Sequence, residues 1–240
     1  MLDTPRTILH HGRQVRFRMY IAQNEKARYR QDKHSGPPGK RKLMDALRYL
    51  LGEKHFNAIT TAEISHTADT NEALIYRYFG DKRGLLHQVL TEYLKETHEW
   101  ISSNISDIED PVKRLERIIW AYFDVYNRHR VFAKIVIVEV RNFPGYFESE
   151  TYQLIKNYAR FLLENINEAV KNGQFRNDLD PRHVRNVIIG AMEHLVLPDV
   201  IFERDIDPDA YTKVVCDIVF NGIAAKKMKK TTNMVRKVLP

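Results

Sequence analysis

The sequence predicts an all-α protein in which a small helical domain precedes a larger one. Three observations support this prediction. Apolar residues recur with the three- and four-residue spacing of an amphipathic helix, as in residues 43–51. Pro111, Pro181 and Pro208 stand where helices are expected to begin, a position that favours proline. The one stretch with strand character, IVIV at residues 135–138, has no second strand to pair with and is interpreted as helix.

An apolar stripe and a cap predict the first two helices. The stripe occupies one face of a helix that begins at Lys40 and ends near Gly52. Thr60 or Thr61 caps the second helix, and Glu63 stands where a capping box requires an acid. These two helices lead into a tight turn, formed by the residues ADT.

Two more helices are predicted after the turn. Asn71 caps the third helix, which Gly80 ends. Asp81 caps the fourth, which runs from Lys82 to Ser103. Two short helices joined by a tight turn and braced by longer neighbours form a helix-turn-helix.

Helical patterns continue through the remaining residues. We expect Pro198 to kink or end the helix in which it occurs, because proline lacks a backbone donor. Beyond the fourth helix, the predicted helices are residues 112–127, 132–142, 147–172, 182–197 and 208–225.

Composition limits the class of protein. The chain has 240 residues, of which 43% are hydrophobic, enough for a packed core. No apolar run approaches the roughly 18 residues of a membrane span, and no signal peptide is recognised. The single cysteine, Cys216, can form neither an internal disulfide nor a cysteine-based metal site. We therefore expect a cytoplasmic protein without a cofactor or metal.

Positive charge is concentrated at both ends of the chain. Residues 1–42 carry a net charge of +8 and residues 224–240 carry +6, whereas residues 43–223 carry −7. Basic ends suit a polyanion such as DNA. The alternative is that they are solvated tails, which is the preferred interpretation for the KKMKK run near the C-terminus.

Catalytic motifs are not found in the sequence. It has no phosphate-binding glycine loop and no H-E-x-x-H pattern. His98-Glu99 and Glu193-His194 are adjacent pairs, and adjacent residues do not share a helix face. The sequence therefore predicts that the protein is not an enzyme.

Three motifs at fixed spacing indicate a family. They are F-x-x-x-T-T-x-x-I before the turn, A-x-x-x-x-x-x-I-Y-x-Y-F across it and D-K-x-x-L-L after it. In spacing and residue type, residues 40–90 resemble the DNA-binding domain of the TetR family of transcriptional regulators. The resemblance implies that the third helix enters the major groove of DNA by its N-terminal end.

The resemblance also implies DNA contacts. Tyr76 and Tyr78 match positions that contact phosphates or bases, and Lys82 matches a position that contacts a phosphate. For the two tyrosines, the alternative is core packing with an exposed hydroxyl. The predicted DNA-contact residues are Thr61, Ala62, Asn71, Glu72, Ala73, Leu74, Tyr76, Tyr78 and Lys82.

Two residues depart from the family pattern. Asp69 occupies a turn position that is usually glycine, and Asp tolerates a left-handed backbone better than most residues. Leu74 replaces a small hydroxyl residue, which removes one polar contact and offers an apolar contact to a thymine methyl group.

The predicted DNA-binding domain has little positive charge of its own. Residues 43–90 carry a net charge of −1, which is poor for binding phosphate. We expect the preceding basic arm, residues 1–39, to supply charge by reaching the neighbouring minor groove. The alternative is a passive extension that results from an upstream translation start.

The resemblance implies that residues 100–225 bind the effector and form the dimer, and the aromatic and aliphatic side chains there are the candidates for a pocket. Each predicted pocket residue is also compatible with an ordinary core position. Glu139 and Arg141 are candidates for orienting a ligand's polar end, although a surface ion pair is preferred. Residues 173–190 resemble fatty-acyl-responsive members of the family. The predicted pocket residues are Trp120, Phe123, Tyr126, Phe132, Ile135, Val138 and Tyr158.

The last two helices match the place where family members form a four-helix dimer interface. A dimer places two recognition helices about 34 Å apart, one turn of DNA. The predicted interface residues are Ile188, Ile189, Met192, Leu195, Val215, Ile218 and Val219.

The predicted domains are a basic extension (1–39), a TetR-type helix-turn-helix domain (40–90), an effector-binding and dimerisation domain (91–225) and a basic tail (226–240). The predicted function is a ligand-responsive repressor that binds a palindromic DNA operator as a homodimer, with a small apolar effector of fatty-acyl type. The alternative is an architectural or partner-regulated DNA-binding factor without a ligand. A ligand-sized apolar cavity favours the first function, and a solid core favours the second.

Overall fold

A computed structural model describes residues 37–224, which form two compact units, residues 37–90 and 91–224. Both units are helical, so the all-α prediction is confirmed for the described residues. The only β feature among them is an isolated antiparallel bridge between Phe175 and Ala224. Most of the predicted arm and the predicted tail lie outside these residues.

The first unit contains the predicted helix-turn-helix. Its elements are α1 (Pro38–Glu53), a 3-10 turn (Phe56–Ala58), α2 (Thr61–Thr67), α3 (Ala73–Phe79) and the start of α4 (Lys82–Ile105). Helix α1 packs against α2 and α3, and its apolar stripe is buried. It begins at Pro38, two residues before the predicted start, because proline is well suited to the first helical position.

The second unit is a helical bundle built around α5. Helix α5 packs against the helices at residues 150–171 and 208–223. The helix at residues 181–201 packs against both of these. The helices that follow α4 are α5 (Pro111–Arg128), α6 (Arg130–Lys134), α7 (Glu150–Lys171), α8 (Pro181–Ile201) and α9 (Pro208–Ile223). No helix of the described part of the chain is long and apolar enough to cross a membrane.

Capping side chains fix the starts of these helices. The Thr60 Oγ1 accepts a hydrogen bond from the Glu63 amide at 3.1 Å, and Asp110 Oδ1 accepts one from the Val112 amide at 2.8 Å. The predicted start of α7 at residue 147 is wrong. Ser149 caps α7 by accepting a bond from the Tyr152 amide, and a separate 3-10 turn precedes it.

The IVIV stretch is helical, as predicted, but it has an unusual form. Residues Ile135–Glu139 form a π-helical segment between α6 and a short 3-10 turn at Val140–Asn142. Segments of this kind are rare and often occur at functional sites. Ile135 is buried and Val138 is half-buried in this segment.

Pro198 was predicted to end or kink its helix, and the prediction that it ends the helix is wrong. Helix α8 continues to Ile201, and the Phe202 amide still donates to the Pro198 carbonyl at 2.8 Å. One proline near a C-terminus removes a single backbone donor and leaves the remaining bonds of the last turn in place. The last helix ends at Ile223, two residues before the predicted end.

Candidate functional site

The turn between α2 and α3 has the backbone geometry that the sequence demands. Asp69 has a positive φ of 49°, so the predicted left-handed conformation is confirmed. The Thr70 amide donates to the Ser65 carbonyl at 3.0 Å, and the Asp69 amide donates to the His66 carbonyl at 3.1 Å. These bonds fix the turn residues against the C-terminal end of α2.

Asn71 organises the N-terminal end of α3. Its Oδ1 accepts a hydrogen bond from the Ala73 amide at 2.8 Å, so the predicted cap is present. Asn71 and Ala73 are both exposed, whereas Glu72 is half-buried. This end of the helix therefore presents a short, uncrowded surface of the kind that fits against DNA.

Neighbouring residues of α3 have opposite environments. Ile75 is completely buried, whereas Tyr76 is 55% exposed. Tyr78 is half-buried, and its ring meets Phe79 edge-on with 6.2 Å between centroids. Tyr76 is thus free of the core packing that constrains Tyr78.

The other predicted contact residues divide into exposed and packed positions. Ala62 is exposed, and Thr61 is half-buried. Leu74 packs against the start of α1, since a Cβ added to Gly39 would lie 3.2 Å from Leu74 Cδ1. The Leu74 side chain therefore supports the unit, and its contact with a thymine stays a prediction.

Lys82 has a structural role that the sequence reading did not foresee. Its Nζ donates hydrogen bonds to the carbonyl oxygens of Phe56 at 3.1 Å and Ile59 at 2.6 Å. The ammonium also lies 4.5 Å from the centre of the Phe56 ring. Burial lowers the pKa of Lys82, and repulsion from Arg83 contributes. A contact with phosphate stays a prediction for the remaining donor.

Several cations of the first unit form ion pairs with acids of the same unit. Arg41 and Arg48 both pair with Asp45, at 3.3 Å and 3.1 Å. Lys54 pairs with Glu63 at 2.5 Å, which is the main cause of the lowered pKa of that carboxyl. The sequence already gives the first unit little positive charge, and these ion pairs reduce further the charge that it can offer to DNA phosphates.

The predicted pocket residues of the second unit have different environments. Phe123 and Ile135 are buried. The Phe132 ring stacks on Tyr93 with 4.6 Å between centroids. The Trp120 indole donates to Asp209 Oδ1 at 2.7 Å, which assigns it to the contact between α5 and α9.

Two of the predicted pocket residues do come together, around a third that was missed. We call Tyr122, Tyr126 and Tyr158 the tyrosine cluster. The Tyr122 ring centroid lies 4.2 Å from that of Tyr126 and 6.2 Å from that of Tyr158. The sequence signal was available, because Tyr122 and Tyr126 lie four residues apart and so share a face of α5.

An ion pair lies near the tyrosine cluster. Arg141 and Glu193 form a two-pronged pair, with one nitrogen–oxygen distance of 3.0 Å and another of 2.5 Å. The ion pair preferred for Arg141 is therefore confirmed. Burial raises the pKa of Tyr126 to about 12, and the negative charge of Glu193 adds to the increase. The tyrosine hydroxyls thus stay protonated at neutral pH.

The second unit also has a groove of about 340 Å³. Within it, Arg114 pairs with Glu168 and donates to Asn165 Oδ1 at 2.8 Å. None of the predicted pocket residues lines it. The lining residues are Ser102, Ile105, Ser106, Arg114, Phe161, Glu164, Asn165 and Glu168. Among residues 37–224, no group of three or more His, Cys, Asp or Glu side chains is arranged to hold a metal ion.

Comparison with known proteins decides the family. Residues 43–89 match the family model of bacterial regulatory proteins of the tetR family, and residues 90–222 match that of the YsiA-like protein C-terminal region. The second match alone covers more than half of the chain. The chain belongs to the TetR family.

Individual TetR-family relatives resemble the chain over most of its length. The fatty acid metabolism regulator protein of Bacillus subtilis is 21% identical over 184 residues, which cover 77% of this chain and 95% of the relative. The structure of a FadR regulator from Bacillus subtilis in complex with stearoyl-CoA is 21% identical and superposes with a TM-score of 0.68, covering 76% of this chain and 98% of its own.

A third relative shows that the fold does not determine the ligand. It is a regulator from Saccharomonospora viridis in complex with choline, 16% identical, with a TM-score of 0.66 over 78% of this chain and 98% of its own. The chain is therefore a helix-turn-helix transcriptional regulator by family. Its effector must be argued from its own residues.

Four of the residues predicted at the TetR-type dimer interface belong to the core of a single subunit. Ile188, Met192, Val215 and Val219 are buried within the chain, so their side chains are not available to a partner. Ile189 and Leu195 are half-buried, and Ile218 is 71% exposed. Ile189, Leu195 and Ile218 therefore stay predicted interface residues, whereas the four buried residues do not.

Proposed function

We propose that this TetR-family regulator is a ligand-responsive repressor that binds a palindromic DNA operator as a homodimer. The observation that carries the DNA-binding part is the contrast on α3 between buried Ile75 and Tyr76, which is 55% exposed. Helix α3 has seven residues and is anchored in the core by Ile75, so the side chain of the adjacent Tyr76 is available to contact DNA. Tyr76, Asn71 and Ala73 are the contacts we propose first.

The exposed apolar face of α8 and α9 supports the homodimer. Val187 on α8 is 59% exposed, while Val214 and Ile218 on α9 are 43% and 71% exposed. Gly190 and Gly222 lie on the same helices, and a Cβ added to either would meet nothing within 4 Å. A second copy of the chain covers this apolar face in the proposed dimer and removes it from water.

We propose a long-chain acyl-CoA as the effector. The support comes from the relatives that match over the second unit, one named for fatty acid metabolism and one in complex with stearoyl-CoA. The tyrosine cluster between α5 and α7 adds aromatic surface beside hydroxyl groups that can donate, the two kinds of contact that an apolar chain with one polar group uses.

Selection of genomic DNA by the purified full-length chain, followed by sequencing, tests the DNA-binding part. We expect enrichment of short palindromic sites, and enrichment without a palindrome contradicts the symmetric dimer. The selected site then serves for the effector test, in which stearoyl-CoA is expected to release the protein and free CoA is not. Binding that no acyl-CoA changes favours the architectural or partner-regulated factor instead.

A further inference from the structure

Two hydroxyl groups of the tyrosine cluster have hydrogen-bonding capacity that is not used. The Oη atoms of Tyr122 and Tyr158 are buried and have no hydrogen-bond partner within the described residues. Most buried polar side chains in folded proteins do have one, and a buried hydroxyl without a partner is destabilising. Such a pair of groups suggests a site whose partner is a ligand.

The two tyrosines face each other across the contact between α5 and α7. Their ring centroids are 6.2 Å apart, and the rings are inclined by only 27°. Tyr126 lies beside Tyr122, with 4.2 Å between ring centroids. Burial raises the pKa of Tyr122, and the neighbouring Tyr126 hydroxyl adds to the increase. The site therefore combines flat apolar surfaces with two hydroxyls, each of which can donate.

The charges near the cluster determine what kind of group it can hold. Glu193 acts on both Tyr122 and Tyr126, and Arg141 acts on Tyr126. These two charged groups are already bound to each other in a two-pronged pair. An additional buried carboxylate would be costly there, whereas a neutral acceptor would not. Burial raises the pKa of Tyr158 as well, which keeps its hydroxyl as a donor.

We infer that Tyr158 and Tyr122 bind the thioester carbonyl of the acyl-CoA effector, each donating a hydrogen bond to its oxygen. A carbonyl oxygen accepts two such bonds and carries no net charge. The tyrosine rings then cover the first carbons of the acyl chain. This inference rests on the effector class proposed above and names the group by which that effector is recognised.

The test compares two ligands that differ only at the proposed contact. Stearoyl-CoA has the thioester carbonyl, and S-octadecyl-CoA has a methylene group in its place. Their dissociation constants are measured by isothermal titration calorimetry with the full chain. We expect the wild type to bind the thioester about 3- to 10-fold more tightly, the range that corresponds to one or two net hydrogen bonds.

Three variants test which tyrosine hydroxyls cause the preference for the thioester. Tyr158→Phe and Tyr122→Phe are each expected to lose most of the preference for the thioester. Tyr152→Phe is the matched control, since it removes a hydroxyl from the same helix α7, where the ring packs against Tyr146 and Phe147 with centroids 5.3 Å and 5.1 Å away. It is expected to keep the preference.

Melting temperatures of the ligand-free variants provide a second readout. If the hydroxyls have no partner inside the protein, Tyr158→Phe melts at the same temperature as the wild type or higher. A clear decrease means that the hydroxyl is satisfied internally and overturns the inference.

The outcomes separate this inference from the proposed effector. Equal affinity of the wild type for both CoA derivatives overturns the carbonyl contact and leaves the effector class standing. A preference that survives in Tyr158→Phe and Tyr122→Phe also overturns it. If neither derivative binds, the effector class fails, and the carbonyl contact fails with it.

Discussion

The ammonium nitrogen of Lys82 lies 2.6 Å from the carbonyl oxygen of Ile59, which joins the first residue of α4 to the segment before α2. A second bond to the Phe56 carbonyl and the nearby Phe56 ring complete this attachment. Two of the three ammonium donors are used. Lys82 therefore holds the start of α4 against the segment that precedes α2.

Replacing Lys82 by methionine should destabilise the first unit. Lys82→Met keeps the length of the side chain but removes the donor of the Ile59 carbonyl and one of the two donors of the Phe56 carbonyl. Because the side chain is only half-buried, we expect a decrease of about 1 kcal/mol in the free energy of unfolding, measured with urea. Lys42→Met, at an exposed position of α1, is the control. Equal stability of the two variants would contradict the structural role of Lys82.

Tyr76 should matter for DNA and not for folding. Tyr76→Ala is expected to weaken binding to the selected operator roughly 5- to 30-fold, about 1–2 kcal/mol, with helical content and melting temperature unchanged. Tyr49, which is also exposed in the first unit, provides the control variant Tyr49→Ala. A large fall in the melting temperature of Tyr76→Ala would show that the side chain belongs to the core.

The dimer is predicted to depend on Ile218. Ile218→Asp places a charge on the exposed face of α9 and should yield folded monomers in sedimentation experiments. These monomers should no longer bind the palindromic site tightly. Phe147→Asp introduces the same charge at a side chain that is 64% exposed elsewhere, and should leave the dimer intact. Ile188→Asp should instead unfold the chain, since that side chain is fully buried.

His129 is predicted to make the stability of the second unit depend on pH. Burial lowers its pKa to about 4, and repulsion from Arg128 adds to the shift. Between pH 6.5 and 4 the unfolded chain binds a proton that the folded chain does not, so stability is lost as the pH falls through this range. Relative to His129→Phe, the wild type should lose roughly 2–3 kcal/mol between pH 7 and pH 4 in urea unfolding. Parallel curves for the two proteins would show that the imidazole titrates normally.

The basic arm is predicted to supply phosphate contacts. Helix α1 begins at Pro38, so deletion of residues 2–36 removes a net charge of +5 without shortening the helix. Each phosphate contact adds about 0.9 to the slope of log K against log salt, and we expect the slope to fall by roughly 3 to 5. Deletion of residues 226–240 removes +6 and should change it little. An unchanged slope after the first deletion means that the arm is passive.

Local signals in the sequence predicted the helix starts well. Thr60 caps α2 as expected, because a cap involves only a side chain and the amides two or three residues later. Pro111 and Pro208 begin α5 and α9 as expected. The left-handed turn at Asp69 was predictable for the same reason. The prediction for Pro198 failed because the free-energy cost of a proline in a helix depends on how many backbone hydrogen bonds of the last turn remain. A sequence pattern does not show how many remain.

Features that depend on tertiary contacts could not be read in the same way. Helices α8 and α9 are apolar over more than one face, and the pattern alone does not tell which face meets the subunit's own core. Ile188 and Ile218 are thus equally good candidates until burial separates them. The tyrosine cluster required knowing that α5 and α7 are neighbours, which residue spacing within α5 does not reveal.

The two tryptophans of the chain, Trp100 and Trp120, both belong to the second unit. The Arg128 guanidinium lies 4.6 Å from the centre of the Trp100 ring, and the Trp120 indole donates to Asp209 at 2.7 Å. Their fluorescence is therefore an intrinsic probe of α4, α5 and α9, and no tryptophan signal comes from the helix-turn-helix. Effector titrations can be followed by emission without a label, even on a DNA-bound protein, and unfolding of the DNA-binding unit alone will be invisible to the same measurement.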